Sequence, residues 1–306
     1  MEKKMTTRMW LALAALYIAW GSTYLAIRFA VESLPPFFMA GTRFLVAGLI
    51  VYIWRRLAGD PAPTHRQWRS AAIIGLFMLV GGLGVVSWAE QYVPSGITAL
   101  IVAAVPLWMV LVNALRPGGK RPSWQTSAGL LVGLAGILIL VGPGISTGDQ
   151  AGYHPAVMII LLLATLSWAI GSVYSRRADL PKSPLLGTGM EMLAGSLGAF
   201  IVGLATGEAG RLGLGVVSSR SLVGFVAYTW LLRVAPISTV ATYAFVNPIV
   251  AVIIGSFLAQ EVLTTRALIA LPVILSAVAI IHFANSKKPQ TASGRTTTPA
   301  RQAAVR

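Results

Sequence analysis

The chain has no cysteine among its 306 residues. Disulfides, thiolate metal sites and cysteine nucleophiles are excluded at the outset. Charge is scarce as well: 11% of residues are Asp, Glu, Lys or Arg, and only nine residues are acidic. The three histidines, His65, His154 and His282, lie far apart with no HExxH among them. A polytopic enzyme would need a cluster of His, Asp or Glu at one membrane face, and these helices offer none. No Gly-Lys-Ser/Thr occurs, and Gly210-x-x-Gly213-x-Gly215 is a weak glycine pattern without a phosphate-binding context. ATP-driven transport would need a partner chain. The expectation is a protein that is not an enzyme, with no cofactor and no metal site.

What the chain has in excess is apolar surface. It is 56% hydrophobic with mean hydropathy +0.75, more than a soluble domain can hide, so its solvent is lipid. Ten apolar runs of about 20 residues, each enough to cross ~30 Å of hydrocarbon, fall near 9–31, 37–54, 69–90, 94–115, 124–142, 155–176, 184–206, 212–233, 236–258 and 266–284. They are numbered here as the first to tenth spans. Turn chemistry separates them at Pro35-Pro36, Asp60-Pro61-Ala62-Pro63, Arg116-Pro117-Gly118-Gly119 and Gly142-Pro143-Gly144. Lys3, Lys4 and Arg8 before the first run resemble a signal peptide, but the run is too long and lacks a small-x-small cleavage site. It reads as an uncleaved helix. Residues 286–306 are polar and basic and read as a disordered tail.

The net charge of +15 would suggest nucleic acid in a soluble protein. Here the basic residues form short clusters between apolar runs, so they orient the chain in the membrane and no nucleic-acid partner is expected. Lys3, Lys4, Arg8, Arg55, Arg56, Arg66, Arg69, Arg116, Lys120, Arg121, Arg176, Arg177 and the tail share one side; Arg28, Arg211 and Arg266 fall on the other. The positive side is cytoplasmic, which places both termini there.

The chain also repeats itself. Trp88, Pro94 and Pro106 align with Trp230, Pro236 and Pro248 under one shift of 142 residues. Pro36, Gly41 and Arg43 align with Pro184, Gly189 and Glu191 under a shift of 148. Two modules, 1–145 and 152–285, are expected, each of five helices. An odd number makes the second enter the membrane from the opposite side, and equivalent loops differ in sign accordingly: Arg116, Lys120 and Arg121 after the fourth span, Gln260-Glu261 after the ninth. The fold class is thus an all-α membrane protein of ten transmembrane helices in a 5+5 inverted-topology repeat, an architecture that builds transporter sites near the midplane.

The doubled module, the proline-marked fourth and ninth spans, Trp20-Gly21-Ser22-Thr23-Tyr24 and Tyr243-Ala244-Phe245-Val246-Asn247-Pro248 together resemble the drug/metabolite transporter superfamily, EamA type, from about residue 10 to 284. The resemblance implies ten helices, the inverted repeat, and export of amino acids, aromatic ones included, or related metabolites across the bacterial inner membrane. It also implies alternating access around a cavity lined by the first, third, fourth, sixth, eighth and ninth spans. Ser218-Ser219-Arg220-Ser221 departs from the usual apolar eighth helix. The first span carries no acid between Trp10 and Ala30, so the glutamate-based proton coupling of the small multidrug cousins does not transfer.

Ionisable groups inside the spans are few. Arg43 and Glu191 lie seven residues after their prolines, hence ~10 Å in from opposite faces at 1.5 Å per residue, too separated in depth for a simple pair. Either they fix helix packing, or Arg43 meets a substrate carboxylate and Glu191 an amine or a coupling proton. Thr239, Tyr243 and Asn247 share one helix face at i, i+4 and i+8. Pro248 and Pro106 remove backbone donors within the membrane, leaving carbonyls for a neighbour, water or substrate. Trp20, Ser22 and Tyr24 have a loose counterpart in Trp168 and Ser172, and Trp88 completes an aromatic set. Such a lining suits an amphipathic organic solute, though each of these residues could equally be core. The Gly129, Gly133, Gly136 stripe reads as helix packing, with a dimer face as the alternative; a monomer is plausible. Within transporters the competing reading is a multidrug or cationic-metabolite exporter. A channel is the more distant one.

Overall fold

In the computed structural model, residues 21–119, 122–147, 155–211, 243–261 and 264–286 are described. Trp20, Thr239, Trp230, Pro236, the eighth span with Arg220, and the tail beyond Ser286 lie outside them. The described residues are helical throughout, without a strand. Six helices are long and apolar enough to cross a membrane: Pro36–Leu57, His65–Ala89, Ser95–Leu115, Trp124–Val141, Pro155–Ser175 and Pro184–Ala205. Residues 21–30 are helical, and Tyr243–Leu258 and Thr265–Ser286 occupy the ninth and tenth places. The protein is an all-α membrane protein.

Local chemistry sets the helix starts. Pro36 and Pro184 each stand in the first turn, where the missing N–H would have had no acceptor anyway. The third span opens on a capping box: the Gln67 N–H donates to Thr64 Oγ1 and the Thr64 N–H donates to Gln67 Oε1. Gly59, at φ +95, turns the chain after the second span in a conformation that favours glycine.

Three features differ from the apolar pattern. The third span is π-helical from Gly75 to Gly84, a wider coil than hydropathy can register. The fourth is two helices, Ser95–Val102 and Val105–Leu115, with the break at Ala103-Ala104 just before Pro106. The fifth does not stop at Gly142-Pro143-Gly144: it runs to Thr147, because one proline costs a single backbone bond that a long helix in lipid survives. Pro248 likewise sits inside a continuous helix, unlike Pro106, which opens the second half of a broken one.

Glycines fix how the spans meet. Gly41 lies against Phe200 and Gly48 against Met192 and Leu193, while Gly189 faces the backbone of Tyr52. The second and seventh spans therefore run antiparallel in close contact. Gly129 packs on Ala277, Ile280 and Ile281, and Gly136 on Val273 and Ile274, so the fifth and tenth spans also run antiparallel. Gly133 faces Leu107 of the fourth span. The glycine stripe is thus covered by helices of the same chain. Gly96 against Val252 and Gly255 against Ser95 make the fourth and ninth spans a third antiparallel pair.

Candidate functional site

The seam between the fourth and ninth spans holds polar side chains in an apolar wall. Ser95 and Thr98 are fully buried and Asn247 is 5% exposed. Among the described residues, the hydroxyls of Ser95 and Thr98 and Oδ1 of Asn247 have no hydrogen-bond partner. Buried polar groups are normally satisfied, and these three lie together on one seam. Their register follows from the glycine contacts: with Gly96 against Val252, Asn247 falls level with about Ile101, beside the break at Ala103-Ala104. Pro106 lies beyond that break and Pro248 is buried next to Asn247.

The second and seventh spans bring Arg43 and Glu191 onto one helix pair but not to one level. With Gly41 at Phe200 and Gly48 at Leu193, Arg43 lies level with about residue 198, some 10 Å along the axis from Glu191. Arg43 is 2% exposed, and its guanidinium carbon sits 4.4 Å from the ring centre of Phe44. Glu191 is half-buried. Its backbone carbonyl lies 2.5 Å from where a Cβ on Gly75 would be, so the π segment can come this close only as glycine.

The sixth span's candidates face that π segment. Trp168 packs on Gly82, Ser172 reaches the sulfur of Met78 at 3.8 Å, and the hydroxyl of Ser167 donates to the carbonyl of Phe77 at 2.7 Å. These contacts bind the sixth span to the third. Trp88 stacks at a tilt on Tyr92, centroids 5.2 Å apart. Ser22 and Tyr24 are half-buried on the first span, and Tyr243 opens the ninth.

Sequence reasoning missed the helix-capping acids. Glu208, 4% exposed, accepts from the backbone N–H groups of Phe37 and Phe38 at 3.0 Å each. Glu261 accepts from Ser95 N–H at 2.8 Å and Gly96 N–H at 3.0 Å. Each carboxylate thus satisfies the orphan donors at the start of a helix 165 or more residues away. At the far end of the second span, Asp60 takes two hydrogen bonds from Arg55, at 2.8 and 2.9 Å, and one from Ser183, the residue that starts the seventh span. The Arg55 guanidinium first, then the Ser183 hydroxyl, holds the Asp60 carboxyl below the usual carboxylate range. The missed signal was the spacing: Asp60 and Glu208 are 148 residues apart, the shift that relates Pro36 to Pro184.

On the face that carries Glu208 and Glu261, a recess of ≈ 300 Å³ is lined by Arg28, Phe29, Glu32, Pro94, Gln260 and Glu261, among others. The Arg28 guanidinium donates to the backbone carbonyl of Glu90. Among the described residues no group of three or more His, Cys, Asp or Glu is placed to hold a metal ion.

The comparisons with known proteins agree with this picture. The pattern of the EamA-like transporter family matches residues 7–142 and again 155–283. The chain is 40% identical over 280 residues to the uncharacterized inner membrane transporter YedA of Escherichia coli (strain K12), covering 88% of this chain and 89% of that one. It is 24% identical over 305 residues to the transporter YvbV of Bacillus subtilis (strain 168), covering 96% and 98%. A WAT1-related chloroplastic protein of Arabidopsis thaliana is 26% identical over 290 residues, covering 90% of this chain and 69% of its own. A solved crystal structure superimposes with TM-score 0.56 at 20% identity over 91% of this chain and 98% of its own, a likeness of fold. Helices that span a membrane, polar groups buried between them, and a family pattern that covers nearly the whole sequence lead to one conclusion: this chain belongs to the EamA-like transporter family.

Proposed function

We propose that this chain is a secondary exporter of amino acids, aromatic ones included, or of related small metabolites. It works by alternating access in the inner membrane, with both termini cytoplasmic and two inverted five-helix repeats. The observation that carries the reading is the seam of Ser95, Thr98 and Asn247, three buried polar groups without partners beside a broken helix. A soluble amino acid offers the donors and acceptors such a seam lacks, and nearby aromatic surface takes its side chain. The antiparallel pairing of the second with the seventh, fourth with ninth and fifth with tenth spans supports the inverted repeat. Basic residues clustered near Asp60 support a cytoplasmic position for that face, with the Glu261 face outside.

In this reading Arg43 holds the substrate carboxylate and Glu191 faces its amine or a coupling proton. The seam, with Trp88 and the first-span residues Trp20, Ser22 and Tyr24, forms the remaining lining, and Thr239 and Tyr243 continue it along the ninth span. Trp168 and Ser172 act through the packing of the third span. A second reading, export of organic cations, is favoured by the recess, where Glu32 and Glu261 outnumber Arg28.

Counterflow tests the proposal. Proteoliposomes preloaded with unlabelled amino acids are offered labelled threonine, methionine or phenylalanine, and a transient overshoot absent from protein-free vesicles is expected. Correctly folded protein without overshoot for any of them would move the reading to organic cations.

A further inference from the structure

Glu90 follows directly on the third span, which ends at Ala89. Its side chain is fully buried, at 0% exposure, and neither carboxylate oxygen has a hydrogen-bond donor among the described residues. It is not part of the helix caps: Glu208 and Glu261 each receive two backbone N–H groups, and Glu90 receives none.

Among the described residues, the charged groups that act on Glu90 are Glu261 and Arg28. Both line the recess on that face, and Arg28 is bound to the backbone of Glu90 itself. Of the helices packed against the end of the third span, the sixth carries no charged residue between Pro155 and Ser175. The second contributes Arg43, about two turns in from its start. Arg28 spends one donor on the Glu90 carbonyl rather than the carboxylate, and Glu261 is committed to the start of the fourth span. A carboxylate buried with no donor and a second carboxylate beside it is costly in its ionised form. The protonated acid removes both the desolvation and the repulsion.

We propose that the Glu90 carboxyl, joined through Arg28 to the recess that Glu261 also lines, is a proton-binding site that gates the Glu261 face. With that face closed, Glu90 holds its proton. When the fourth and ninth spans separate, water enters through the recess, the Glu90 O–H ionises, and the proton leaves to the outside solution. Reclosure requires a proton to return from the same solution, so the site responds to pH on that side and carries no net proton across the membrane. The pairing of Glu90 with Glu261 matters because Glu261 also fastens the fourth span: one carboxyl senses the proton and its neighbour holds the gate. The gating part of this inference rests on the carrier reading above. The protonation part does not.

The test uses the full-length protein in proteoliposomes, as wild type, Glu90→Gln, Glu90→Asp and Glu261→Gln. Infrared difference spectra between acid and alkaline buffer read the protonated carboxyl directly. The protonated-carboxyl band of wild type is expected to contain a component that shifts in Glu90→Asp, is missing in Glu90→Gln, and is lost at lower pH in Glu261→Gln than in wild type. Counterflow of labelled phenylalanine is expected to slow in wild type as the pH on the Glu261 side rises and to lose that pH dependence in Glu90→Gln, whose persisting counterflow reports intact folding. Identical spectra in wild type and Glu90→Gln would overturn the site. A lost component with the wild-type pH dependence of counterflow retained would overturn its gating role. Absence of counterflow in wild type would count against the amino-acid reading alone, since the infrared result still decides where the proton sits.

Discussion

Asp60 and Glu208 fasten opposite ends of the same antiparallel helix pair. Glu208, at the end of the seventh span, receives the first N–H groups of the second; Asp60, at the end of the second, receives the hydroxyl of Ser183 at the start of the seventh. The pair is not equally strong. Glu208 is buried and bonds backbone, whereas the Asp60 side chain is 15% exposed and shares its oxygens with Arg55.

Glu208→Ala is therefore expected to lower stability by about 1–2 kcal/mol, the range for loss of a helix cap, with Asp60→Ala costing less. Thermal unfolding in detergent, followed by helical circular dichroism, checks the order. A larger loss for Asp60→Ala would reverse the argument from burial.

The Asp60 carboxyl also predicts an acid limb. Its folded-state value is depressed by Arg55 and then by Ser183, so its contribution to stability is fully present above the ordinary carboxylate range. It is lost as pH falls through the lowered value. In Asp60→Asn the difference from wild type should shrink on acidification, as read by melting temperature against pH. A difference constant down to strong acid would mean that Asp60 acts through packing alone.

At the helix crossings, glycine is either required or merely present. Gly75→Ala would bring a Cβ to 2.5 Å from the Glu191 carbonyl and 2.9 Å from the Gly195 nitrogen, backbone atoms that cannot rotate away; about 1–3 kcal/mol of destabilisation is expected. Gly187 meets nothing nearer than Pro181 Cδ at 3.8 Å, and Gly187→Ala should stabilise by up to about 1 kcal/mol through helix propensity. Melting temperatures that move in the same direction for both would contradict the packing described here.

Thr98→Val keeps the shape of a fully buried side chain and deletes a hydroxyl with no partner among the described residues. Stability should be unchanged or slightly higher, because nothing is left unpaired, while counterflow should fall several-fold if the seam meets substrate. A drop in stability with normal transport would assign the hydroxyl a structural bond instead.

Arg43 and Glu191 separate the two transport readings. An amino-acid carrier should lose most transport in Arg43→Ala. A cation exporter should lose it in Glu191→Gln and tolerate the change at Arg43. Both variants are scored by uptake of labelled amino acid and labelled organic cation in the same vesicles.

The membrane-spanning fold was legible because apolar length is a direct physical demand of the bilayer: the second and seventh spans, begun by Pro36 and Pro184, start within a residue of the places their hydropathy indicates. The depth offset of Arg43 and Glu191 could be read from the repeat and the helix rise. The π segment was not legible, since Gly75–Gly84 is as apolar as any α-helical run and its coil is set by neighbours. Nor was the continuation through Pro143, where turn propensity yielded to the helix. Within the candidate site, Asn247 was legible as a polar residue beside a proline. Ser95 and Thr98 were not, because short hydroxyl side chains in an apolar run carry no mark of lacking a partner. Glu90 was hidden for a simpler reason: at the edge of a span it reads as a residue facing water.

The trans-acting caps bear on how the protein is made. Phe37 waits for an acceptor 171 positions downstream, and Ser95 for one 166 positions downstream. While the ribosome is still working on the second half, two helices of the first half sit in the bilayer with bare N-terminal donors. The early half is thus incomplete at these two helix starts until Glu208 and Glu261 have been added to the chain.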